Sequence, residues 1–134
     1  MKAILRSPFH GMVSKNIMLL TFTGQKSGRV HSTPVNYVQD HNEITVFSFR
    51  QRTWWRNLRG GAPVTVRIRG QNLKAVAECI EDEKTVASGL LAYLQQRPNY
   101  AKYFQVALNQ DGQPKREEVV QAAKNRVMIK VQLI

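Results

Sequence analysis

Through roughly the first eighty positions, apolar residues alternate with polar ones in short runs, and after Asp82 the spacing changes to that of a helix. Residues 19–23 and 32–39 read as strands. Asp40-His41-Asn42 reads as a turn, and residues 43–49 return as a third strand, making a meander. Residues 53–59 form a short helix, with Thr53 placed to cap it and Gly60-Gly61 ending it before Pro63. Val64, Val66 and Ile68 then alternate with Thr65, Arg67 and Arg69, and a turn at Gly70-Gln71-Asn72 leads into a strand over 73–80. That hairpin carries one solvated, basic face, where Arg67, Arg69 and Lys74 also discourage edge pairing.

Val86, Leu90, Leu91 and Leu94 recur at helical spacing until Pro98 stops the run. Asn99 is placed to cap a short helix through Leu108, residues 109–113 form a loop, and Pro114 opens a third helical segment reaching Lys124. Val127, Ile129, Val131 and Leu133 alternate in a half-buried terminal strand over 126–134. About six strands with helices inserted late predict a mainly β, α+β fold, a small antiparallel barrel flanked by helices. A single domain over 1–134 accommodates it, with an N-terminal segment 1–16, barrel strands within 17–81, helices within 82–124 and the closing strand.

Charge sharpens this picture. Residues 1–74 hold 12 basic and 2 acidic side chains, a net of +10, while residues 75–134 hold 8 and 7, a net of +1. The positive field therefore belongs to the half with two basic motifs, which suits an anionic partner. The lone Cys79 excludes an intramolecular disulfide and agrees with a reducing compartment. No apolar run approaches the roughly 20 residues of a spanning helix, and the first eight residues lack the apolar core of a signal peptide, so a cytoplasmic location is expected. The cationic stretch from Lys2 to Lys15 is also compatible with peripheral contact to an anionic membrane.

The first motif is Thr-Gly-Gln-Lys-Ser-Gly-Arg-Val-His-Ser-Thr-Pro over 23–34, a glycine-punctuated turn between two strands. Lys26, Ser27 and Arg29 can present donors there to a phosphate or carboxylate. The second runs over 47–59 and sets Arg50, Arg52, Arg56 and Arg59 beside Trp54 and Trp55. Adjacent helical residues point about 100° apart, so one tryptophan packs into the core while the other stays near the basic surface, able to stack on a planar ligand. His10, His31 and His41 have no ligand spacing, so no metal site is expected, and neither a Gly-x-Ser-x-Gly elbow nor an activated cysteine appears. Tyr93, Tyr100 and Tyr103 fall in the helical region.

Taken in this order, the segment Thr-Gly-Gln-Lys-Ser-Gly at 23–28 with Pro34, and Trp-Trp-Arg-Asn-Leu at 54–58 followed by Ala62-Pro63-Val64, resemble the deazaflavin-dependent nitroreductase family of the split-barrel, flavin-reductase-like superfamily. The resemblance runs from about Asn16 to Ile134. It implies a six-stranded split β-barrel, FMN-binding-like in fold, that uses coenzyme F420 to pass hydride to a quinone, enone or nitroaromatic acceptor. It further implies that Lys26 holds the tail phosphate with the backbone of Ser27 and Gly28. The family often has an arginine where this chain has His31, and Arg29 is placed to compensate. Ser48, Phe49 and Arg50, followed by Arg52 and Thr53, would line the deazaflavin ring, with Trp54 and Asn57 packing and bonding along it. Asn36 falls where the family can have a substrate-facing tyrosine, and Tyr100 and Tyr103 match a tyrosine-bearing segment that could supply a proton.

Related split barrels hold FMN, haem or fatty acids, so an FMN-binding protein is the nearest alternative. The four arginines of residues 50–59 fit a longer polyanionic tail better than a single flavin phosphate. Nucleic-acid binding is a further alternative, but it would spread cationic and aromatic residues along a groove, whereas here they concentrate at one turn and one short helix. Monomer and homodimer are both open on sequence.

Overall fold

The computed structural model describes residues 17–134. The N-terminal segment, with the cationic stretch of residues 2–15 and His10, lies outside the described residues. Strands are β1 Ile17–Thr23, β2 Val30–Asn36, β3 Val38–Asp40, β4 Glu43–Phe49, β5 Ala62–Ile68, β6 Gln71–Ile80 and β7 Arg126–Leu133. They form one sheet in the order β2-β1-β5-β6-β7-β4-β3. The two strands at the ends of that order, β2 and β3, are consecutive in the chain, and Tyr37 alone separates them. One residue spans only about 3.5 Å, so the sheet must curl until its ends meet, which gives a split barrel.

The chain divides into two compact units. One comprises the described residues through Phe47 together with Trp54–Cys79 and Ile129–Ile134, and the other comprises Ser48–Thr53 and Ile80–Met128. In the first, the alternation seen in the sequence becomes an inside and an outside. Leu20, Ile44, Val66, Ala77 and Val131 point inward and are at most 1% exposed. On β5 the intervening Pro63 and Arg67 face solvent.

Two local expectations change. The strand anticipated over 32–39 is broken at Tyr37, because β2 pairs with β1 whereas β3 pairs with β4. Seven strands therefore replace six. The period of two runs from Thr33 through Val35 to Tyr37, itself buried at 7% exposure, and stops there, since Gln39 is exposed. The hairpin turn is Arg69-Gly70 rather than 70–72. Both residues have positive φ, 50° and 82°, and Ile68 pairs with Gln71, the pattern of a type I′ turn whose twist matches the strands.

In the second unit, α1 Glu83–Gln96 starts at Asp82, whose carboxylate accepts from the Thr85 N–H at 3.0 Å and from Thr85 Oγ1 at 2.8 Å. Those two bonds hold its carboxyl below the usual carboxylate range. The helix buries Val86, Leu90 and Leu94. A 3-10 helix, Pro98–Phe104, follows the proline, and it ends at Gln105 in left-handed backbone, short of the anticipated Leu108. Leu108 instead bridges to Pro114, so the last helix, α2 Arg116–Lys124, begins two residues beyond that proline. It buries Val119, Ala122 and Ala123 and packs against α1. Among the described residues no helix is long and apolar enough to cross a membrane.

Candidate functional site

The turn between β1 and β2 is built around glycine. Gly24 donates to the Arg29 carbonyl at 2.7 Å, Gly28 donates back to the Gly24 carbonyl at 2.9 Å, and the Ser27 hydroxyl accepts the Arg29 N–H at 3.1 Å. A Cβ on Gly24 would meet Ser27 Oγ at 2.7 Å and His31 Nε2 at 3.1 Å, while Gly28 sits at φ +69°, so neither position accepts a side chain without strain. Lys26, Ser27 and Arg29 are exposed on this tight frame. Because the Gly28 N–H is consumed inside the turn, the backbone donors of the turn without a partner among the described residues are those of Lys26 and Ser27.

The turn is not self-supporting. Asn57, on the 3-10 helix Trp54–Leu58, accepts the Gln25 N–H through its side-chain carbonyl at 2.9 Å, and its amide donates to the Trp54 carbonyl at 2.9 Å. Gln25 Nε2 donates in return to the Asn57 carbonyl at 3.2 Å. The side chain expected to bond along a ring therefore ties two basic motifs together. Three rings run beside the turn. Phe22 lies 5.6 Å from His31 and 5.8 Å from Trp54, both tilted. Trp54 is half-buried and Trp55 is core, 2% exposed, the division expected for adjacent residues of a short helix. Arg56 and Arg59 lie 5.7 and 5.2 Å from the Trp55 ring centre. The buried Trp55 Nε1 has no hydrogen-bond partner in the structure.

Residues 48–53 belong to the other unit. Ser48 is buried and its hydroxyl donates to the Phe49 carbonyl at 3.3 Å, whereas Phe49 is 42% exposed. Arg50 is anchored rather than extended. Its N–H donates to the Asn125 carbonyl at 2.6 Å, and its Nη2 donates to the carbonyls of Glu81 at 2.6 Å and Arg126 at 3.1 Å. Arg52 and Thr53 are exposed. The Arg126 guanidinium lies 4.4 Å from the Phe49 ring centre and 4.9 Å from that of Phe104.

Tyr100 and Tyr103, both on the 3-10 helix Pro98–Phe104, have ring centres 6.1 Å apart. Tyr100 is half-buried and Tyr103 is 68% exposed. Tyr93 stands behind them, 6.1 Å from Tyr100, and burial pushes its hydroxyl up to about 12. Pro34 and Asn36 are exposed on β2, an end strand of the sheet, where a proline without an N–H is tolerated. Among the described residues no group of His, Cys, Asp and Glu could hold a metal ion.

The sequence offers little sign of Gln25 or Arg126 as site residues. Gln25 lies inside the turn motif but has an unremarkable side chain, and Arg126 opens a strand in a region of balanced charge.

Residues 7–118 match the model of the family described as F420H(2)-dependent quinone reductase. No curated protein matches the chain. Among solved structures, one titled as a domain-swapped dimer is 21% identical, with 88% of this chain and 81% of that chain covered and a TM-score of 0.55. An F420-H2 dependent reductase (FDR-A) is 20% identical, with 88% and 95% covered and a TM-score of 0.53. The haem-storage protein HutZ from Vibrio cholerae is 13% identical, with 90% and 82% covered and a TM-score of 0.56. At these identities the likeness establishes the split-barrel fold.

Proposed function

We propose, for a chain that belongs to the F420H(2)-dependent quinone reductase family, that the turn of residues 24–29 takes the phosphate end of coenzyme F420 and that the acceptor reduced is a quinone. As a member of that family the protein is an oxidoreductase, and coenzyme F420 is its cofactor. The observation that carries the site assignment is the clamped turn. Lys26, with the N–H groups of Lys26 and Ser27 that have no partner among the described residues, presents cationic and backbone donors from a frame that Asn57 holds in place. Such a constellation suits a phosphate, because charge-assisted bonds from pre-positioned donors lose little entropy on binding.

The cofactor supplies a two-electron hydride, and the protein's share is binding, orientation and electrostatics. In this reading Arg29 supplements Lys26, and His31 forms the wall of the turn against Gly24 and Phe22. Trp54 offers its half-exposed face to a planar group. Ser48 and Phe49 are assigned to the ring, with Arg52 and Thr53 beside them in sequence, while Arg50 acts through the carbonyls it braces. Asn36 is assigned to the acceptor. A hydroxyl of Tyr100 or Tyr103, or water, returns the proton to the product. Enones and nitroaromatics are further acceptors, and a homodimer is the assembly to test.

The experiment is a fluorescence titration with oxidised coenzyme F420 beside FMN and a single-stranded oligonucleotide at about 0.15 M salt, where loose charge attraction is largely screened. Saturable binding of F420 alone, followed by oxidation of the reduced cofactor on adding menadione, is the expected result. Binding of FMN in its place would overturn the site assignment, and binding of the oligonucleotide alone would overturn the enzymatic reading.

A further inference from the structure

Arg126 is a buried cation without a counter-ion among the described residues. It is 7% exposed, and the ion pairs among the described residues, His41 with Asp40 and Lys130 with Glu43, do not include it. Its Nη1 donates to the Ala122 carbonyl at 3.1 Å, and its guanidinium carbon lies 4.4 Å from the Phe49 ring centre and 4.9 Å from that of Phe104. No described residue accepts a hydrogen bond from its remaining guanidinium N–H groups. Phe49, whose ring the guanidinium contacts, is 42% exposed.

Charged side chains this deeply buried are ordinarily paired, since desolvation must be offset by an opposite charge or a full set of hydrogen bonds. Here burial depresses the guanidinium pKa, the direction expected of a cation with neither. The second arginine nearby, Arg50, donates to the Arg126 carbonyl and so adds positive charge. Cation–π contact accounts for the two rings beside the charge, but it uses none of the N–H donors.

We propose that Arg126 and Phe49 form a recognition point for the carboxylate of a flat aromatic molecule, the guanidinium edge taking the carboxylate while the exposed phenyl face packs on the ring. It shares no residue with the turn that carries Lys26. It rests on the proposed reductase activity in assigning the bound carboxylate to the hydride acceptor, and it moves Phe49 from the deazaflavin ring to that acceptor, which makes carboxylated quinones and aromatics preferred over neutral ones.

The test is calorimetric titration of the cofactor-free protein with 2-naphthoate and with its neutral counterpart 2-naphthalenemethanol. Naphthoate should bind saturably and more tightly. Arg126→Gln should weaken it by roughly 10- to 100-fold, Arg126→Lys should restore part of that loss, and Lys26→Ala should leave it unchanged. Phe49→Leu, at an exposed position, should weaken it several-fold and keeps the test open if Arg126→Gln does not fold. Equal binding of the two probes, retention in Arg126→Gln, or loss in Lys26→Ala alone would overturn the proposal. Displacement of naphthoate by tri-γ-glutamate would move the site to the cofactor tail and overturn the acceptor assignment. A failure of F420 to bind would strike the reductase site and leave these results standing.

Discussion

The side-chain carbonyl of Asn57 accepts the backbone N–H of Gln25 at 2.9 Å while the side-chain amide of Gln25 reaches the Asn57 carbonyl at 3.2 Å. This reciprocal pair joins the glycine turn to the 3-10 helix Trp54–Leu58, so the geometry of the turn around Lys26 depends on Asn57. Asn57→Ala leaves the Gln25 N–H and the Trp54 carbonyl without side-chain partners. Urea denaturation should show a loss of about 1–2 kcal/mol, and F420 affinity should fall beyond what stability explains. Unchanged affinity would mean that the turn holds its shape unaided.

Lys26 is exposed on that frame, so its removal should cost binding and not stability. Lys26→Ala is expected to weaken F420 by about 1.5–3 kcal/mol with the thermal midpoint unmoved, and the difference from the parent protein should shrink at high salt. A salt-independent affinity in both proteins would remove charge from the interaction.

The adjacent tryptophans should separate cleanly in calorimetry. Trp55, 2% exposed, is core, and Trp55→Ala should cost about 3–5 kcal/mol of stability. Trp54→Ala should keep a cooperative transition and lose cofactor affinity, since a half-exposed ring beside Phe22 is placed to stack. If Trp54→Ala abolished the transition, the ring would belong to the core.

Tyr93 gives the fold an alkaline limit. Its folded pKa of about 12 lies above the 10.0 of an unperturbed tyrosine because burial disfavours the phenolate. The folded state thus holds the proton more tightly than the unfolded chain. The stabilisation is complete below pH 10 and is lost as pH rises toward 12. Denaturation followed across that window should steepen in the parent and flatten in Tyr93→Phe. Parallel curves for the two would place the titration elsewhere.

Much of the architecture is legible in the sequence because it depends on local order. The period of two in residues 43–49 and 64–80, the helical spacing from Val86 to Leu94 and the stop at Pro98 each record which face of an element is buried. The turn motif at 23–28 and the Trp-Trp-Arg-Asn-Leu run are likewise readable, as residue types and order. Alternation cannot say which strand is the partner, so the break at Tyr37, where the chain passes from pairing with β1 to pairing with β4, emerges only when the sheet closes. The same holds for the side chains at the sites. Whether Asn57 faces a ligand or clamps Gln25, and whether Arg126 is solvated or enclosed by Phe49 and Phe104, depends on residues tens of positions away. Such contacts leave no periodic trace in the chain, and only tertiary packing decided them.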